Sequence, residues 1–242
     1  MAASAPTPPG PTPPGSEQKY TLVYHSSIGF RSAPIQMLLL DAGAEFAMAD
    51  PHWGADRVIE ANPGAPSFAP PALRKGDFTV AQTPAILHYL GETLAGGTYR
   101  AGGGAEGSAV HLQLLLDIGD VTSELYTEVR KGAKARAAFA SIVDGSRLKN
   151  WLLHLGKIYQ RHAGGGGDGG GFLFGQAAPT AADFFMLSAL ESFEFVYGAP
   201  CVAGLLPQSF VPWRAALQAR PFFAAYQAQA KPPLFGSMKH AE

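Results

Sequence analysis

At 242 residues the chain exceeds one average domain and fits two modest ones, and an apolar fraction of 47% is enough to build a core. A formal net charge of −1 gives no electrostatic ground for nucleic acid or an anionic membrane as partner. A single cysteine, Cys201, excludes an intramolecular disulfide framework and fits a reducing compartment, and no apolar run approaches the ~18 residues of a membrane span.

Residues 1–18 carry PTPPG twice among small polar residues, a composition that cannot offset its own ordering entropy, so a disordered tail is expected there. Its start has neither the basic-then-apolar pattern of a secretion leader nor the Arg-rich character of a transit peptide, and the expected location is cytoplasmic. Residues 20–25 (YTLVYH) read as a buried strand and 31–41 (RSAPIQMLLLD) as a helix apolar on more than one face, stopping at Gly43. Residues 45–49 suggest a second strand, and 53–61 a loop with a short helical turn. Residues 71–81 (PALRKGDFTVA) read as two strands about a Lys75-Gly76-Asp77 turn, followed by a helix over 82–94 with Pro84 in its first turn.

After the glycine-rich joint at 96–107 strand signals fade. Residues 110–131 and 133–162 read as long helices, 163–171 as a glycine loop, and 180–197, 210–219 and 221–230 as further helices. The outline is an α/β domain followed by an all-α domain. Phosphate-loop, zinc-site and nucleophile-elbow spacings are absent, so neither metal nor dinucleotide chemistry is expected.

Three features carry the remaining signal. Pro71, after Pro70 and at the start of a strand, is a candidate cis-proline beside which an extended peptide could pair. Gln82-Thr83 opens a helix directly after a strand, which makes an anion site suited to a carboxylate, or a plain helix cap. Thr180-Ala181-Ala182-Asp183 is a capping box with Asp in place of Glu, a structural device without a catalytic part.

In this order and spacing the segments resemble the soluble glutathione transferases over about residues 20–230. The opening YTLVYHSSIG with the helix up to Gly43 is similar to the tyrosine-type pi, mu, alpha and sigma classes. The stretch PALRKGDFTVAQTPAILHYL looks like the family's cis-proline to third-helix segment, and Phe174-Gly175 through Asp183 and Arg220-Pro221 like its later landmarks. The resemblance implies a thioredoxin-like glutathione-binding domain over 19–95, a linker over 96–107, an all-helical domain over 108–242, and a homodimer.

It also implies site residues. Tyr24 takes the place of the hydroxyl that stabilises the glutathione thiolate, with Ser26 and Ser27 as alternatives. Arg31 stands at the helix start, although the chain carries one residue more than the pi-like pattern between Gly29 and that helix. Trp53 and Arg57 match the glycyl carboxylate region, Pro70 and Pro71 the cysteinyl unit, and Gln82 and Thr83 the γ-glutamyl end. Asp117 and Asp120 are candidates for the acidic residue that reaches the partner's γ-glutamyl amine, and Tyr126 for a liner of the second-substrate pocket. Pro70 departs from the pattern, because it lacks the N–H usually given to the cysteinyl unit. The implied activity is conjugation of glutathione to a hydrophobic electrophile. Glutathione-dependent isomerisation or peroxide reduction, or a non-enzymatic binding or structural role, remain open beside it.

Overall fold

The computed structural model describes residues 19–52, 59–62, 65–132, 147–162 and 171–233. Strand β1 (Tyr20–Val23) is the apolar run at 20–25, shortened by the turn that follows it. It pairs in parallel with β2 (Phe46–Ala49) and antiparallel with β5 (Ala72–Lys75), which forms a hairpin with β6 (Phe78–Ala81) across Gly76 at φ 57. The sheet order is β2-β1-β5-β6, with α1 (Ala33–Asp41) as the crossover between the parallel pair. Residues 59–61 are not in the expected loop. Ile59–Asn62 (β3) and Ala65–Ser67 (β4) form a separate antiparallel ladder. At four and three residues, with Pro66 inside the second, the segments are too short for their pattern to mark strands, so only backbone pairing reveals them.

Helix α1 is buried on nearly every side, with Ile35, Met37, Leu38 and Leu39 at zero exposure. Its sequence shows no single apolar stripe because it packs on the sheet, on α5 (Ala181–Tyr197) and on α8 (Pro221–Gln229) at once. Helix α2 (Thr83–Thr93) follows β6 directly. The helical part opens with α3 (Gly104–Arg130), which begins inside the glycine-rich stretch rather than at Val110. It continues through α4 (Arg147–His162), α5, α6 (Ala199–Ala203), α7 (Phe210–Gln218) and α8. The five-residue α6 holds Cys201, where the sequence suggested only a connection between helices. The 1–18 tail, residues 133–146 of the expected second long helix and residues 163–170 of the glycine loop lie outside the described residues.

Two polar centres tie the parts together. Asp183, wholly buried, accepts hydrogen bonds from the Leu173 and Thr180 N–H groups (2.9 and 2.7 Å), the Thr180 hydroxyl (2.8 Å) and the Trp213 indole (2.8 Å). Burial pushes this carboxyl above its usual range, while the same four donors favour its charge. At the end of α1, Asp41 receives both arms of the Arg220 guanidinium (2.7 and 2.8 Å) and the Tyr99 hydroxyl (3.0 Å). It therefore joins the sheet domain to the start of α8. Between α2 and α3, His111 is fully buried with no hydrogen-bond partner for either ring nitrogen among the described residues. Burial, and then the neighbouring His88, lower its pKa to about 4.

Candidate functional site

The strand registers align three of the expected site residues. One step beyond the paired residues Val23, Ala72 and Ala81 stand Tyr24, Pro71 and Gln82, on three adjacent strands at one end of the sheet. The Gln82 N–H donates to the Pro71 carbonyl (3.2 Å), and the Pro70–Pro71 peptide is cis. With strands ~4.8 Å apart the row spans ~10 Å, the length of an extended tripeptide.

Arg31 holds this end of the sheet to the neighbouring helices. Its N–H donates to the Tyr24 hydroxyl oxygen (3.4 Å), and its carbonyl accepts the Thr83 hydroxyl (3.0 Å). Its guanidinium donates to Ser123 on α3 (3.3 Å) and lies over the Phe30 ring. A 3-10 turn, Phe30–Ser32, carries Arg31 into α1, with Phe30 at φ 24. Thr83 is buried, and its hydroxyl proton is spent on Arg31, so what its side chain offers a ligand is oxygen lone pairs.

Tyr24 is 3% exposed. Burial raises its pKa to about 12, the Arg31 N–H and charge act in the opposite sense, and Tyr126 adds a little. The phenol therefore keeps its proton at neutral pH and is a donor rather than a base. Tyr126 packs on Phe30 (5.4 Å between ring centres) and lies under Arg130. It lies near enough to Tyr24 to act on it electrostatically, but it is not among the residues that line the cavity in front of Gln82.

Gln82 has φ 75 and ψ 123, a backbone conformation that glycine adopts at far lower cost. A cavity of about 450 Å3 opens in front of it, lined by Arg31, Thr83, Asp120, Ser123 and apolar residues of α2, α3 and α5. Asp120 thus faces the same chain's Gln82. Asp117 does not join it and lines a different cavity with His154, Lys157, Arg161 and His162. Ser26 and Ser27 are exposed in the turn after β1, where the Asp50 carboxylate holds the Ser26 N–H (2.8 Å). Trp53 and Arg57 lie outside the described residues. The sequence reading missed Ser123, whose only signal is its place one helical turn after Asp120.

No family model and no curated protein matches the sequence. Solved structures do. The pi-class glutathione S-transferase of Onchocerca volvulus superposes with a TM-score of 0.69 at 19% identity, covering 91% of this chain and 99% of that one. Rat hPGDS, complexed with a quinoline, gives 0.61 at 16% identity over 89% and 100% of the two chains. The glutathione S-transferase of Ascaris lumbricoides gives 0.57 at 18% identity over 89% and 100%. The chain has the glutathione transferase fold, a thioredoxin-like domain followed by a helical domain.

Proposed function

We propose that this chain is a glutathione transferase that binds glutathione along the Tyr24–Pro71–Gln82 row and conjugates it to a hydrophobic electrophile. The observation that carries the reading is the row itself. A phenol that stays protonated stands at one end and a strained helix N-terminus at the other, with a backbone carbonyl between them. The γ-glutamyl carboxylate meets the N-terminus of α2, where N–H groups and dipole favour an anion. Asp120 is the carboxylate in reach of its amine. The cysteinyl unit lies along Pro70–Pro71, and the sulfur faces the Tyr24 hydroxyl.

There the Tyr24 O–H donates to the sulfur and favours the thiolate, and the thiol proton passes to solvent. The sulfur lone pair then forms the bond to the electrophilic carbon, and the leaving group departs with its bonding electrons. Pro70 offers no N–H to the cysteinyl unit, which costs about 0.5–1.5 kcal/mol of binding relative to a residue that does. We assign a homodimeric state as well. Phe68, 81% exposed beside the row, is an apolar side chain that a partner subunit would cover.

Retention on immobilised glutathione followed by a conjugation assay tests the reading, and failure of both overturns it. The burial of Tyr24 and the missing N–H of Pro70 favour a second reading, a non-enzymatic binding role on the same fold. Retention without turnover across conjugation, isomerisation and peroxide substrates selects that reading instead.

A further inference from the structure

A cavity of about 710 Å3 lies among α5, α7, α8 and the segment after α8, and it shares no residue with the cavity in front of Gln82. Three helix faces build it. Glu191 and Phe195 stand one turn apart on α5, Phe223 and Tyr226 one turn apart on α8, and Arg214 comes from α7. Arg214 is already engaged, since both arms of its guanidinium bind Glu194 (2.5 and 2.7 Å). Glu191 is largely buried and makes no hydrogen bond or ion pair with any described residue. Its carboxyl is raised to about 7, chiefly by burial, with Arg214 lowering it and Glu194 raising it. Tyr226 faces it from α8, and the exposed Lys231 stands at the mouth, where water screens its charge. A carboxyl without donors beside aromatic rings is the chemistry that recognises an organic cation, because the ammonium satisfies the carboxylate and the ring faces together.

We propose that this cavity is a binding site for a small amphipathic amine, its ammonium on Glu191 and its apolar body against Phe195, Phe223 and Tyr226. The site is independent of glutathione and of the Tyr24 row. Binding favours ionised Glu191, so affinity rises as pH rises through about 7.

The test titrates the full chain with 2-phenylethylamine and with the isosteric neutral 2-phenylethanol, by calorimetry or ligand-detected NMR. At about pH 8 the amine binds roughly tenfold tighter than the alcohol, and at about pH 6 the preference shrinks several-fold. Glu191→Gln removes the preference while leaving alcohol binding in place. Gln227→Trp, at an exposed lining position, narrows the cavity and changes the affinity for both several-fold while the circular dichroism spectrum is unchanged. Equal affinity for amine and alcohol, no binding of either, a preference that survives Glu191→Gln, or affinities unchanged by Gln227→Trp each overturns the assignment.

Discussion

Tyr24→Phe removes one oxygen from a buried ring and leaves the ring's packing in place. The phenol is raised to about 12 by burial, so it carries its proton across the whole working range and serves only as a donor. Its oxygen already accepts the Arg31 N–H, which leaves the O–H free to point at a ligand. A hydrogen bond to a charged acceptor contributes about 1.5–3 kcal/mol, or roughly one to two pKa units of a thiol at about 1.4 kcal/mol per unit. A bound glutathione thiol would then titrate near ~6.5–7.5 instead of ~8.5. At about pH 6.5 the variant should hold roughly ten- to fiftyfold less thiolate, and kcat/KM should fall by the same factor. Above about pH 9 the two proteins should converge, since both thiols are then ionised. The readouts are the ultraviolet absorbance of the bound thiolate and the pH profile of kcat/KM with an aryl halide. The acid limb should move up by one to two units. The Arg31 N–H loses an acceptor at 3.4 Å, a stability loss of about 1 kcal/mol or less. Superimposable acid limbs for wild type and Tyr24→Phe would refute the argument, and alanine at Ser26 and Ser27 becomes the next experiment.

Gln82→Gly relieves a positive-φ conformation that costs about 1–2 kcal/mol but adds freedom to the unfolded chain, so the thermal midpoint should move little. Retention on glutathione should nevertheless be lost; if it persists, the Gln82 side chain holds no part of the ligand. Asp183→Ala leaves the Trp213 indole and the Leu173 and Thr180 N–H groups buried without an acceptor, at about 1–3 kcal/mol each. Urea titration should show a loss of at least about 3 kcal/mol or no folded protein at all. The pH dependence of stability should show two opposed terms. His111 is depressed to about 4, so between about 6.5 and 4 the unfolded chain takes up more protons and acid destabilises the fold, by at most about 1.4 kcal/mol per unit. Glu191 is raised to about 7, so between about 4.5 and 7 the folded chain holds more protons and stability falls as pH rises. Urea midpoints should be nearly flat for wild type in the shared window. His111→Leu should then gain stability toward acid, and Glu191→Gln should lose it toward acid while being the more stable protein near pH 8 by up to roughly 3 kcal/mol. A steep wild-type profile with unchanged slopes in both variants would exclude these two groups as its source.

What the sequence made legible was local. The apolar run of β1, the hairpin about Gly76, the cis bond at Pro71 and the Thr180–Asp183 cap each depend on residues within a few positions of one another. The row of Tyr24, Pro71 and Gln82 follows once those strands are in register. Other features resisted because their causes are distant. The Asp41–Arg220 bridge joins residues 179 apart, and no local pattern pairs the two. Helix α1 hid its neighbours by being apolar on all sides. The β3–β4 ladder is built from strands of only four and three residues, too short to carry a pattern, and the positive φ of Gln82 leaves no trace in residue type, since glycine would be the signal. Asp117 and Asp120 are one turn apart on α3, yet they serve different cavities because the helix turns one toward α4 and the other toward Gln82.

The Gly29 N–H, five positions after Tyr24, donates to the Pro232 carbonyl (2.9 Å), and a Cβ at Gly29 would stand 3.2 Å from the Lys231 carbonyl. The backbone beyond the last helix thus fastens the first loop like a clasp, and the two ends of the folded chain should loosen together. Hydrogen exchange at the Gly29 amide becomes a gauge of that fastening. Cutting the chain after residue 229 should speed that exchange and soften the loop beside Tyr24 without touching a single residue of the row.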